Sequence, residues 1–141
     1  MIYRLKFEIE PVEQERPRAT RYGKGIRLYD PKKVAAFKQS LGYVAKFKFK
    51  HEPIAKPVRI EIKFFRGLQK SLTKNERARR LSHVHRPIVK PDLDNYIKST
   101  LDALNGIIWV DDNLIVDLNA HKYYSDNPRI ELEVEEYDTD D

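Results

Sequence analysis

Residues Val58 to Phe65 read VRIEIKFF, with Val58, Ile60, Ile62 and Phe64 alternating against Arg59, Glu61 and Lys63. Successive side chains of an extended chain point to opposite faces, so this stretch has to be a strand with one face buried against something else. The same period of two appears, after a shift near Tyr3, in Leu5, Phe7 and Ile9. Two further strands are predicted, LIVDLNAHKYY (114–124) and RIELEVEEY (129–137), and in the second Ile130, Leu132 and Val134 face one way. Asp126, Asn127 and Pro128 lie between these last two strands and predict a hairpin turn.

Two segments carry helical spacing instead. Asp30 followed by Pro31 reads as an N-cap and first helical position, and Val34, Phe37, Leu41, Val44 and Ala45 then recur on one face to about Lys50. A second helix starts at Asp92 or Leu93, has Leu93, Ile97, Leu101 and Leu104 as its apolar stripe, and stops at Asn105 and Gly106. Between them, the polar stretch 67–90 offers only a helical turn from Thr73 to Leu81. The order strand, helix, strand, helix, strand, strand predicts an α+β fold: one domain over residues 1–137, with a mixed sheet of about four strands packed against two main helices. A chain of 141 residues can bury a core without a disulfide or structural metal, and it contains no cysteine. No apolar run approaches the roughly 18 residues of a membrane span, and the N-terminus alternates, so a soluble cytoplasmic protein is expected. The acidic end, EEYDTDD (135–141), predicts a frayed tail, of which residues 138–141 fall outside the domain.

Charge is segregated along the chain. Residues 1–90 hold 24 Lys/Arg against 8 Asp/Glu, whereas residues 91–141 hold 3 against 14. The first part suits an anionic partner, and the second would repel that partner unless cations intervened. Residues 11–30 have little apolar periodicity, with Gly23 and Gly25 supplying turns, and read as a long basic loop. Arg16, Arg18, Arg21, Lys24 and Arg27 in that loop, with Lys32 and Lys33 beyond it, are the candidate phosphate contacts. Tyr22 and Tyr29 either stack on unpaired bases or pack against the domain.

The segment Lys90–Asp112 concentrates Asp92, Asp94, Asp102, Asp111 and Asp112 around Lys98. Asp94, Lys98 and Asp102 are spaced i, i+4 and i+8 on one helix face, with Asp92 at its mouth. A strand formed by IIWV and returning beside the helix would bring Asp111 and Asp112 to Asp92 and Asp94. Four carboxylates so placed would hold a hard divalent ion, Mg²⁺ or Mn²⁺ rather than zinc. A purely structural reading is also available: Asp92 as an N-cap, Asp94–Lys98 as a surface pair, Asp111–Asp112 as a turn. His83 and His85 have no third soft ligand nearby, so no zinc site is expected. Trp109 reads as a core anchor.

The run PDLDNYIKSTLDAL followed by WVDDNLIVD resembles the signature of the RusA family of Holliday-junction resolvases, homodimeric Mg²⁺-dependent endodeoxyribonucleases often encoded by prophages. The match takes in Asp92, Asp94, Asn95, Lys98, Asp102, Asp111, Asp112, Asp117 and Lys122. The resemblance implies that Asp92, Asp94 and Asp112 are the essential metal-site carboxylates, with Asp111 supporting them and Lys98 facing the scissile phosphate. It also implies a homodimer acting on a four-way DNA junction in recombination and repair, with paired symmetric nicks. PVEQERPR near the N-terminus is similar to the basic Pro-rich segment of many members and lacks the Asn-rich version of others. Two other readings compete: the same chemistry directed at flaps or forks, and a non-catalytic junction-binding protein whose acidic cluster is structural.

Overall fold

The computed structural model describes residues 1–138, so the rest of the predicted tail, residues 139–141, lies outside the described residues. Its strands are β1 (Ile2–Phe7), β2 (Arg18–Tyr22), β3 (Gly25–Tyr29), β4 (Val58–Arg66), β5 (Ile115–Tyr124) and β6 (Arg129–Glu136). The helices are α1 (Lys32–Lys48), α2 (Lys74–Leu81) and α3 (Leu93–Leu104). The fold is α+β, as the alternation predicts. Four strands form one mixed sheet in the order β1-β6-β4-β5, with β4 and β5 parallel and the other neighbours antiparallel.

The predicted hairpin between the last two strands does not form. β5 and β6 flank β4 and pair with it from opposite sides. The turn that should have closed the hairpin carries the chain over the end of β4, where Ser125 N donates to Arg66 O at 2.8 Å. Burial explains the order. β4 buries Val58, Ile60, Ile62, Phe64 and Phe65 and takes the interior position, while Val116 to Asn119 of β5 are exposed and suit an edge.

One sheet face carries Phe7, Ile60, Ile62, Ile130, Leu132 and Val134 into a core with Phe37, Leu41 and Ala45 of α1 and Tyr96 and Leu104 of α3. Trp109 is fully buried in that core, as expected. The opposite face is polar and is laced by Arg4–Glu133 (2.9 Å), Arg59–Glu133 (2.8 Å) and Arg59–Glu135 (3.3 Å). Such an alternation is what an antiparallel sheet with one wet face requires. Glu135 and Glu136 therefore belong to β6 and not to a tail, and Tyr137 N is tied to Pro57 O at 2.9 Å.

Two local expectations change for identifiable reasons. Pro31, not Asp30, occupies the N-cap position of α1, and no side chain caps the helix. Asp30 instead accepts from Lys38 Nζ at 2.8 Å and from Gln14 Nε2 at 3.0 Å. In α3, Leu104 is fully buried, but Leu93, Ile97 and Leu101 are only half-buried and the deeper face holds Tyr96, Ser99 and Thr100. The small Ser99 lets residues 11–15 lie close, donating to Val12 O, while Gln14 N donates to Asn95 O at 2.9 Å.

The predicted basic loop is thus an extended docked segment followed by a β2–β3 hairpin. All ten hairpin residues are exposed, so no face had an apolar period to reveal it. Gly23, at φ +60°, opens its two-residue turn at the position where a type II′ hairpin takes glycine.

Lys38 joins the base of this hairpin to both helices, because its Nζ also donates to Asp102 Oδ2 at 2.9 Å. The Lys38 hydrogen bond holds the Asp30 carboxyl below the ordinary aspartate range, outweighing the upward push of partial burial. A depressed carboxylate stabilises the fold above its unfolded pKa and loses that contribution as pH falls through the folded one. Asp30→Asn is therefore expected to lower stability at neutral pH by about 1 kcal/mol. Urea unfolding of wild type and variant should show the gap closing as the medium is acidified below the ordinary aspartate pKa of about 3.9.

Candidate active site and nucleic-acid interface

Asp92 occupies the N-cap position of α3 by its dihedral angles, yet its side chain makes no capping bond. Asp94 lies in the first turn, and both carboxylates are exposed. The surface pair expected between Asp94 and Lys98 is not among the ion pairs of the described residues; α3 contributes Asp102 to Lys38 instead. The structural roles that would have accounted for Asp92, Asp94 and Lys98 are therefore unfilled. These side chains are free to meet a ligand.

Lys98 opens onto a cleft of about 580 Å³. Asn95, Lys98 and Asp102 of α3 form one wall, Lys38 and Asp30 another, and Arg16, Pro17, Leu28 and Tyr29 at the hairpin base a third. Gln14, whose Oε1 is buried without a hydrogen-bond partner, also lines it. Arg18, Arg21, Lys24 and Arg27 are exposed along the hairpin, and Lys32 and Lys33 are exposed in the first turn of α1. Of the candidate phosphate contacts, Arg16 lines the cleft that contains Lys98, and the hairpin that carries four of the others has its base at that cleft. Sequence reasoning missed Lys38; its spacing from Asp102 gives no local signal for a contact made across 64 positions.

The second acidic pair lies elsewhere. IIWV does not form the expected strand but a turn region, with Trp109 bridged to Ile54 and Asn105. Gly106, at φ +79°, starts that turn, and its N–H donates to Trp109 O at 2.8 Å. Lys122 near the end of β5 donates to Pro91 O at 3.0 Å, which fixes the start of α3 beside the end of β5. Asp111 and Asp112 precede the start of β5, about 20 Å away at 3.3 Å per residue. Asp111 Oδ1 caps a short 3₁₀ turn over Asp112–Leu114, accepting from Asp112 N at 2.9 Å.

Among the described residues, no three His, Cys, Asp or Glu side chains are gathered closely enough to hold a metal ion. The four-carboxylate cluster expected from sequence proximity does not assemble within the chain. What the chain offers is an all-oxygen pair, Asp92 and Asp94, which suits a hard cation that completes its shell with water and phosphate oxygens. The histidines are engaged elsewhere. His83, at φ +66°, packs 4.7 Å from the Tyr123 ring, and His85 Nδ1 lies 2.8 Å from Glu76. No helix among the described residues is long and apolar enough to cross a membrane.

Comparison with known proteins places these residues in a family. The chain is similar to the uncharacterized protein YqaN of Bacillus subtilis (strain 168), with 38% identity over 139 residues, covering 94% of this chain and 96% of that one. The family model described as Endodeoxyribonuclease RusA matches residues 8–135, from the end of β1 through the hairpin, the cleft and α3 into β6. The chain belongs to the RusA endodeoxyribonuclease family.

Proposed function

We propose that the protein is a Mg²⁺-dependent endodeoxyribonuclease that binds a four-way DNA junction as a homodimer and resolves it by paired symmetric nicks, in recombination and repair. One juxtaposition carries this reading: Asp92 and Asp94, exposed and unpartnered at the start of α3, stand next to Lys98, which opens onto the cleft below a basic hairpin. Family membership supports the nuclease class.

Asp92 and Asp94 would hold Mg²⁺, or Mn²⁺ in its place, which when bound polarises the phosphoryl oxygen and lowers the pKa of an attacking water. Lys98, one turn further along α3, sets its ammonium against the scissile phosphate as negative charge builds there. Arg16, Arg18, Arg21, Lys24, Arg27, Lys32 and Lys33 grip phosphates of the flanking arms, which fixes register without reading sequence. Asp111 and Asp112 do not reach Asp92 within one protomer. A two-fold homodimer is the arrangement in which the acidic turn of one subunit could stand beside the Asp92–Asp94 pair of the other, and it gives the junction two cutting sites.

Cleavage of a labelled four-way junction, with linear duplex and flap controls, tests this directly. Symmetric nicks are expected in Mg²⁺ and none in EDTA, with Asp94→Asn slower by about a hundredfold or more. Binding without nicks would make the protein an architectural junction binder, and flap cutting with intact junctions would keep the carboxylates but change the substrate.

Junction affinity should also depend steeply on salt. Neutralising about six phosphates gives a slope of log affinity against log salt of roughly −5. A titration from low to physiological salt in EDTA measures it, and Arg18→Ala should reduce the slope by about one.

A further inference from the structure

The β2–β3 hairpin is a ribbon without an inside. No other element of the described fold covers either of its faces, and all ten of its strand residues are exposed. Even so, it carries four large apolar side chains: Tyr22 is 72% exposed, Ile26 75%, Leu28 67% and Tyr29 45%. Of the two roles open to the tyrosines, packing against the domain is not the one Tyr22 adopts, whereas Tyr29, at the base, lines the cleft.

The strand register distributes these groups evenly. Arg18 faces Tyr29 and Tyr22 faces Gly25, so Tyr22, Tyr29, Arg18 and Arg27 share one face. Ala19 faces Leu28 and Arg21 faces Ile26, so Ile26, Leu28 and Arg21 share the other. Each face thus pairs apolar surface with positive charge, and residues 16–29 contain no Asp or Glu. An isolated two-stranded ribbon is marginally stable in water, and exposed apolar groups add nothing to it until something covers them.

We propose that this hairpin is a strand-separating wedge. It enters the branch point of the DNA, with one unpaired strand on each face, and Tyr22 and Ile26 near its tip stack on the bases released. Charge selects the occupant: a second copy of the ribbon would set positive against positive, whereas an opened branch offers flat base faces beside phosphates. Duplex arms expose only base edges in their grooves, so the apolar groups find their partner only where pairing is broken. At about 17 Å, the ribbon spans roughly five residues of strand. Its base, at Leu28 and Tyr29, lines the cleft that holds Lys98. The wedge would guide a separated strand toward that cleft. This inference rests on the branched-DNA reading given above.

The test uses a four-way junction with 2-aminopurine at its centre, titrated with the full chain in EDTA so that binding and opening are read without cutting. Wild type is expected to raise the fluorescence severalfold on binding. The double variant Tyr22→Ala, Ile26→Ser should keep the wild-type melting temperature, bind within about tenfold of wild type, and give little rise. A junction with mismatched, already unpaired bases at its centre should restore cutting by the variant in Mg²⁺. An unchanged fluorescence rise in the variant would overturn the wedge, as would absence of rescue or a wild type that binds without opening the branch. Conversion of a wild-type dimer to a monomer by the two substitutions would also overturn it and make the ribbon a subunit contact. Opening without cutting by wild type would leave the wedge standing and remove the nuclease reading; cutting without opening would do the reverse.

Discussion

The parallel pairing of β4 with β5 is the constraint on which the rest of the molecule depends. Antiparallel neighbours can be joined by a tight turn, but parallel ones need a crossover that carries the chain back to the end where the first strand began. Here that crossover is residues 67–114, and its principal element is α3. α3 has to run back along the sheet, so it begins beside the end of β5, where Lys122 meets Pro91, and finishes near the start of β5. The separation of the two aspartate pairs follows: Asp92 and Asp94 stand at one end of the sheet, Asp111 and Asp112 at the other. No adjustment of side chains can join them within the chain, because the topology itself holds them apart.

The same crossover gives the cleft its walls. α3 lies over the sheet face beside α1, and the segment from Pro11 to Pro17 is held against it through Val12 and Gln14. The hairpin then leaves the body of the protein from a base held at Gln14, Asp30 and Lys38. Lys38 closes the arrangement with Asp30 on one side and Asp102 on the other. Burial of the Lys38 ammonium works against its charge, but hydrogen bonds from it to the two carboxylates more than offset this and raise its pKa. Asp102, which lies on the predicted helix face with Asp94 and Lys98, is therefore occupied in anchoring the hairpin base, and Lys98 pairs with no carboxylate among the described residues.

Much of this was legible because burial writes a period into sequence. The strand at Val58, the strand at Ile130 and the helix ended by Asn105 and Gly106 are each fixed by apolar spacing or by a positive-φ turn that glycine accommodates without strain. Elements that bury little left no such trace. The β2–β3 hairpin lacks an inner face, and only Gly23 followed by Lys24 and Gly25 marked its turn. Strand order was hidden for a different reason, since Asp126 to Pro128 is turn chemistry that can close a hairpin or step across a third strand equally well. The choice was made by how much apolar surface β4 had to cover. At the site, sequence proximity suggested a cluster of four carboxylates, and it misled because a helix converts nearness in sequence into distance in space.

The segregated charge can now be assigned more finely than by halves of the chain. Glu131, Glu133 and Glu135, which contribute to the acidic excess after residue 90, lie on the wet face of the sheet and are met there by Arg129, Arg4 and Arg59. Hydrogen bonds from Arg59 and then Arg4 hold the Glu133 carboxyl below the ordinary glutamate range, so these acids are committed to the fold. A polyanion approaching the other side of the molecule meets a different balance. The hairpin cations have no acidic neighbour on their own strands, and Asp92 and Asp94 have no basic partner among the described residues. The protein spends its opposite charges on each other where the sheet needs them and leaves them unpaired at one end, where phosphate and a divalent cation would supply the missing partners for both.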